Sequence, residues 1–157
     1  MKGHNYDPAW DYLIARPRKS QRELVGTIVS KIKKDLLPLI KEFDDFTIAF
    51  IKDKDRLGQY VTGTHSEPVI LMNLKEILQG CDEYEVDYHT GIETTITHEL
   101  AHAIQDARRL RMMSRDAEKQ AEDFANEYYE GLTPTLLKKW KKKSLISNET
   151  IPSYEGN

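Results

Sequence analysis

The stretch that decides the reading is Ile92-Glu93-Thr94-Thr95-Ile96-Thr97-His98-Glu99-Leu100-Ala101-His102-Ala103-Ile104. Thr90-Gly91-Ile92-Glu93 spells a capping box and predicts a helix running to Arg109 or Met113. With residues about 100° apart and Ile92 at zero, Ile96, Leu100, Ala103, Ile104, Ala107 and Leu110 share an arc of roughly 120°. That arc is the expected core face. His98 and His102 fall off it, near roughly 240° and 280°, and Glu99 falls at about 340°, between them and the core. Two histidines at i and i+4 lie one turn apart, so both imidazoles can reach one metal ion. Zinc accepts nitrogen ligands and keeps an open position in catalytic sites. Glu99 would stand beside that position, able to take a proton from bound water. The bland alternative is two surface histidines on an amphipathic helix.

A catalytic zinc site normally takes three protein ligands. No histidine follows His102, and Gln105 and Arg108 stand where H-E-x-x-H-x-x-G-x-x-H would place glycine and histidine. The third ligand is therefore expected to be a carboxylate or an upstream histidine. The next predicted helix starts at Ser114 or Asp116 and stops at Gly131. Ala117, Ala121, Phe124, Ala125, Tyr128 and Tyr129 form its apolar stripe, and Glu118 falls inside that stripe. An unpaired carboxylate facing a core needs a partner. Zinc would be one, and an arginine such as Arg108 or Arg109 would be another. Glu122, on the stripe's edge, suits a role accepting an N–H from a ligand histidine, unless it is a plain surface residue. Glu122 and Asp106 are the other carboxylates considered for the third position.

Outward from this stretch, the chain reads as α+β. Ser20 to Glu23 spells a capping box before Val25, Ile28, Val29, Ile32, Leu36 and Ile40, which recur at helical spacing until Pro38 shortens the helix. Phe46–Ile51, Gln59–Thr62 and Val69–Met72 read as three short strands, the last expected at a sheet edge because Pro68 opens it. Leu74–Leu78 reads as one or two helical turns and Asp82–Asp87 as an acidic loop. Thr133-Pro134 predicts a short helix that ends in the lysine cluster 138–143. One domain over residues 1–143 is expected, with an irregular lead-in over 1–19 and a polar tail over 144–157.

Composition narrows the class. The chain has 157 residues, 39% hydrophobic and 31% charged, with 23 Lys+Arg against 26 Asp+Glu, a net charge of −3. That is a charge-rich globular composition with no overall basic field, which argues against nucleic acid or an anionic membrane as the main partner. Cys81 is the one cysteine, so no intrachain disulfide forms. No apolar run approaches about 18 residues, and the N-terminus has no secretory pattern. A cytoplasmic protein is the expectation.

The paired elements His98-Glu99-Leu100-Ala101-His102 and Glu118-Lys119-Gln120-Ala121-Glu122-Asp123-Phe124-Ala125 resemble those of the gluzincin metallopeptidases. Within that group the small size and the H-E-L-A-H and F-A elements look most like the compact ImmA/IrrE-type peptidases. The resemblance covers about residues 92–125. It implies a small zincin-like domain: an N-terminal helix, a small sheet of three or more strands with an edge strand, the H-E-x-x-H helix, then a ligand-bearing helix. It implies one zinc ion per chain on His98, His102 and Glu118, with Glu99 as general base. It implies that Glu122, where the family usually has aspartate, orients a ligand histidine. The implied activity is hydrolysis of peptide bonds in a protein or peptide substrate, in a phage or mobile-element regulatory circuit. The substrate backbone would pair with the Val69–Met72 edge. His65, His89, Tyr128 and Tyr129 are candidates to steady the carbonyl oxygen. Two rivals remain: an inactive zinc-binding module that holds a protein partner, and a DNA-associated peptidase using the lysine cluster.

Overall fold

A computed structural model describes residues 15–52, 58–62 and 67–138. The lead-in before residue 15, His65, lysines 139, 141, 142 and 143, and the tail 144–157 lie outside the described residues. Helix α1 (Lys19–Leu36) buries Val25, Ile28, Ile32 and Leu36, the stripe expected from the spacing. Its start differs from the expected Ser20 box. Arg18 precedes the first turn in extended conformation, and its N–H donates to Gln21 Oε1 at 3.3 Å. Gln21, three residues on, is the side chain within reach of that orphan donor. Pro38 ends the helix: it has no N–H for the carbonyl four residues back, and Leu37–Leu39 tighten into a 3-10 turn.

Strands β1 (Thr47–Phe50), β2 (Gly58–Thr62) and β3 (Pro68–Met72) form a sheet of order β1-β3-β2. β1 runs parallel to β3, with Thr47 opposite Val69, and β2 runs antiparallel to it, with Gly58 opposite Met72. The strand expected at the edge is thus the central one. Pro68 is tolerated because it is the first residue of the strand, outside the β1 register and opposite only the last residue of β2, Thr62. Burial of Ile70, Leu71 and Met72 in succession is what a central strand shows. Among the described strands β1 and β2 lie at the two ends of the sheet.

Helix α2 (Leu74–Tyr84) is capped by Asn73 Oδ1, which accepts from the Glu76 N–H at 3.3 Å. It is longer than expected and takes in Asp82, Glu83 and Tyr84, so only Glu85 to Asp87 are loop. Glu85 closes it in the left-handed region, φ 57°. Asp87 then caps α3 (Tyr88–Ala107), its carboxylate accepting from the Thr90 N–H at 3.0 Å and the Thr90 hydroxyl at 2.8 Å. The expected Thr90–Glu93 box does not form. An acidic cap three residues earlier has taken the Thr90 donors, and Glu93 is buried instead. Gly91 faces Cys81 so closely that a Cβ there would collide with its sulfur, which is how α3 comes against α2.

α3 stops before Arg109. Arg109 adopts φ 55°, its N–H bonds the Asp106 carbonyl and the Leu110 N–H bonds the Gln105 carbonyl, a Schellman closure. The tight turn that follows leads into α4 (Ser114–Tyr129), which closes the same way at Gly131, φ 81°. Residues 135–138 are helical, and the Thr135 N–H and hydroxyl donate to the Glu127 carboxylate at 2.9 and 2.7 Å. The core gathers Ile28, Ile32, Phe46, Ile70, Ile96 and Phe124 around α3. No helix among the described residues is long and apolar enough to cross a membrane.

Candidate metal centre

α3 packs against α1, α2, α4, β2 and β3. Ile92, Ile96, Leu100, Ala103 and Ile104 are buried as their spacing predicts, while Ala107, at the helix end, is exposed. The covered side is wider than the apolar arc, because Glu93, Thr97, Ala101 and Gln105 are buried too. What stays accessible is a strip carrying Thr94, Thr95, His98, Glu99, His102 and Asp106. The two histidine rings meet edge to face, centroids 4.9 Å apart. Their side chains are 22% and 17% exposed.

Glu118 of α4 closes on this pair. His98 Nε2 lies 3.0 Å from Glu118 Oε1, and His102 Nε2 lies 2.8 Å from Glu118 Oε2. One ligand atom from each residue lies within 4.8 Å of every other. Two ring nitrogens and a carboxylate therefore converge from two helices. Four-coordinate zinc with bonds of about 2.0–2.1 Å separates its ligand atoms by roughly 3.3 Å. The two nitrogen–oxygen contacts are shorter than that and the trio lies within 4.8 Å, a range an ion could draw to bonding distance, and the donor set, two imidazoles and one carboxylate, is one that zinc accepts. The group can hold a metal ion.

Glu118 reaches the histidines by a different route from the one expected. Its side chain is 56% exposed, not inside the covered stripe, which is Ala121, Phe124, Ala125 and Tyr128. It pairs with no arginine among the described residues. Arg108 is held elsewhere, its Nε donating to Glu42 Oε2 at 2.9 Å and its Nη1 to the Leu136 carbonyl at 3.0 Å. Burial pulls the Arg108 guanidinium below its ordinary pKa, and the Glu42 hydrogen bond opposes that.

Beside His98 and Glu99 lies a cleft of ≈ 430 Å³, walled by Thr94, Thr95, Glu122, Ala125 and Asn126. Glu122 is thus in the neighbourhood of the histidines, but among the described contacts it hydrogen-bonds neither ring. His102 Nδ1 meets Gln105 Oε1 instead, at 2.9 Å. Reading the sequence missed Gln105. The signal was available: it lies three residues after His102, within reach on the same helix, and is polar on an otherwise covered side.

The candidate oxygen donors are scattered. The Tyr128 hydroxyl donates to Asp35 Oδ2 at 2.7 Å and accepts from Lys31 at 3.0 Å, facing α1. Burial, first of all, pushes its pKa up to about 12. His89 is on the first turn of α3, 3.9 Å from Glu93 and about 13 Å along the helix from His98. Tyr129 is exposed. No family model, curated protein or solved structure matches this chain.

Proposed function

We propose that this chain is a zinc metallopeptidase of the gluzincin kind, most like the compact ImmA/IrrE-type peptidases, acting on a protein or peptide substrate. The observation that carries the reading is the convergence of His98, His102 and Glu118, from two helices, on the strip that also presents Glu99. Zinc held by that trio would supply a Lewis acid and a water whose pKa is lowered to about 7. Glu99 follows His98 directly and lines the cleft, and in this reading its carboxylate would take the proton of the attacking water. It would then return that proton to the leaving amine. The cleft gives room for a substrate side chain next to the scissile bond. β2, the edge strand packed against α3, offers a backbone ladder to an extended substrate in place of β3. The free cysteine Cys81 is buried, in keeping with a cytoplasmic setting. A regulatory circuit of phage or mobile-element type follows from the resemblance only.

A zinc-binding module that holds a partner without cutting it would use the same three ligands, so Glu99 separates the two. Purified without a histidine tag, the protein should carry about one zinc per chain. Glu99→Gln should keep that zinc and lose peptide cleavage by about 10²–10⁴-fold. Equal cleavage by parent and variant removes the mechanism. No zinc in either, even after adding it back, removes the enzyme.

A further inference from the structure

The buried amide of Gln105 touches both halves of the metal centre. Its Oε1 meets His102 Nδ1 at 2.9 Å, while its Nε2 donates to the Ala117 carbonyl at 3.0 Å and to Gln120 Oε1 at 2.9 Å. Gln105 is 6% exposed. A backbone carbonyl only accepts, so the Ala117 contact fixes which end of the amide faces α4. The flipped amide would set two oxygens against each other there. With Oε1 thereby turned to the ring, His102 Nδ1 must be the donor, and the Nε2 lone pair is left for a metal. Ala117 is the residue immediately before Glu118, so the same amide also anchors the backbone that presents the third ligand.

We propose that Gln105 is the positioning residue of this centre: through one amide it fixes the tautomer of His102 and holds Glu118 in register with the histidine pair. The inference rests on the reading of His98, His102 and Glu118 as a metal site. Gln120 stands behind it as acceptor for the second amide hydrogen.

The experiment compares zinc affinity, by competition with a chromophoric chelator, and thermal unfolding in the parent, Gln105→Leu, Gln105→Glu and Gln120→Leu. Gln105→Leu should weaken zinc binding by about 10–100-fold. Gln105→Glu keeps an acceptor for Nδ1–H but sets a carboxylate against the Ala117 carbonyl, so it should bind zinc better than Gln105→Leu while melting lower. Gln120→Leu should lower the melting temperature and leave affinity within about threefold, since it does not touch His102. The zinc-loaded parent should show a solvent-protected proton on His102 Nδ1 by NMR, absent in Gln105→Leu. Parent-like affinity in Gln105→Leu, or no such proton in the parent, overturns the role. If Gln105→Leu does not fold, the NMR signal of the parent decides. A parent that binds no zinc at all instead brings down the metal-site reading itself.

Discussion

Two carboxylates, Glu42 and Glu118, each meet cationic or cation-binding groups on the same stretch of chain, and they are built in opposite ways. Glu42 meets Arg108, just past the end of α3, in the interior, with side chains 12% and 1% exposed. Glu118 meets His98 and His102 on the surface side of the same helix, at 56% exposure. The inner pair is buried: Arg108 bonds Glu42 Oε2 while Glu42 Oε1 has no hydrogen-bond partner among the described residues, and the guanidinium also bonds the Leu136 carbonyl, tying the chain after α4 to the end of α3. The outer group is open on its solvent side and brings together two ring nitrogens and a carboxylate, each able to act as a metal ligand. The first arrangement suits a weld and the second suits a metal ion.

Breaking the weld should have the largest effect on the fold. Arg108→Ala leaves Glu42 without its cation and strands the Leu136 carbonyl, so unfolding in urea should show a loss of about 3–5 kcal/mol. Zinc stoichiometry in the surviving folded fraction should be unchanged. If Arg108→Ala instead loses zinc while keeping its stability, the division between the two sites is wrong.

Glu118→Ala should do the reverse. Exposed ion pairs contribute about 1 kcal/mol or less, so the metal-free variant should unfold within that margin of the metal-free parent. Zinc binding should be lost or greatly weakened, measured by metal content after dialysis. Full zinc retention would move the third ligand to another carboxylate, Glu122 on the cleft wall or Asp106 on the same strip as the histidines.

The smallest effect is expected from acid. Hydrogen bonds from the Tyr128 hydroxyl and then Lys31 hold Asp35 below the usual carboxylate pKa. Lys33 does the same for Asp45, and the hydroxyl and N–H of Thr90 for the cap Asp87. A folded pKa below the unfolded one means that the stabilisation is complete above about pH 4 and fades as pH falls through the folded values. All three are surface groups, so the metal-free protein should lose stability gently below pH 4 rather than collapse there. Asp87→Asn, still able to accept from Thr90, should flatten that slope in thermal melts taken between pH 2 and 5. An unchanged slope would show that Asp87 contributes nothing to it.

Much of this molecule was legible from spacing. The α1 stripe, the three strand segments, the core face of α3 and the placing of His98 and His102 off that face all follow from repeats inside a single element. Boundaries were less legible. Asp87 displaced Thr90 as cap, and α2 ran on through residues read as loop, because competing caps a few residues apart are decided by which donor each can reach. Arg109 closes α3 in a conformation that favours glycine, so residue type gave no warning of the end.

Residue spacing along one helix was enough to pair His98 with His102, since four residues make one turn whatever lies around them. It put Glu118 forward as the third member by placing it in the apolar stripe of the next helix, whereas the structure leaves Glu118 exposed and brings it to the histidines from the rim. Spacing could not say whether Glu118 would meet arginine or histidine, that β3 would be central, or that Gln105 would reach across to Ala117. Those contacts join residues 16 positions apart for His102 and Glu118 and 66 apart for Arg108 and Glu42. At such separations the partner is chosen by how whole elements pack, and that packing buries Arg108 against Glu42 and brings Glu118 to the histidines at the surface.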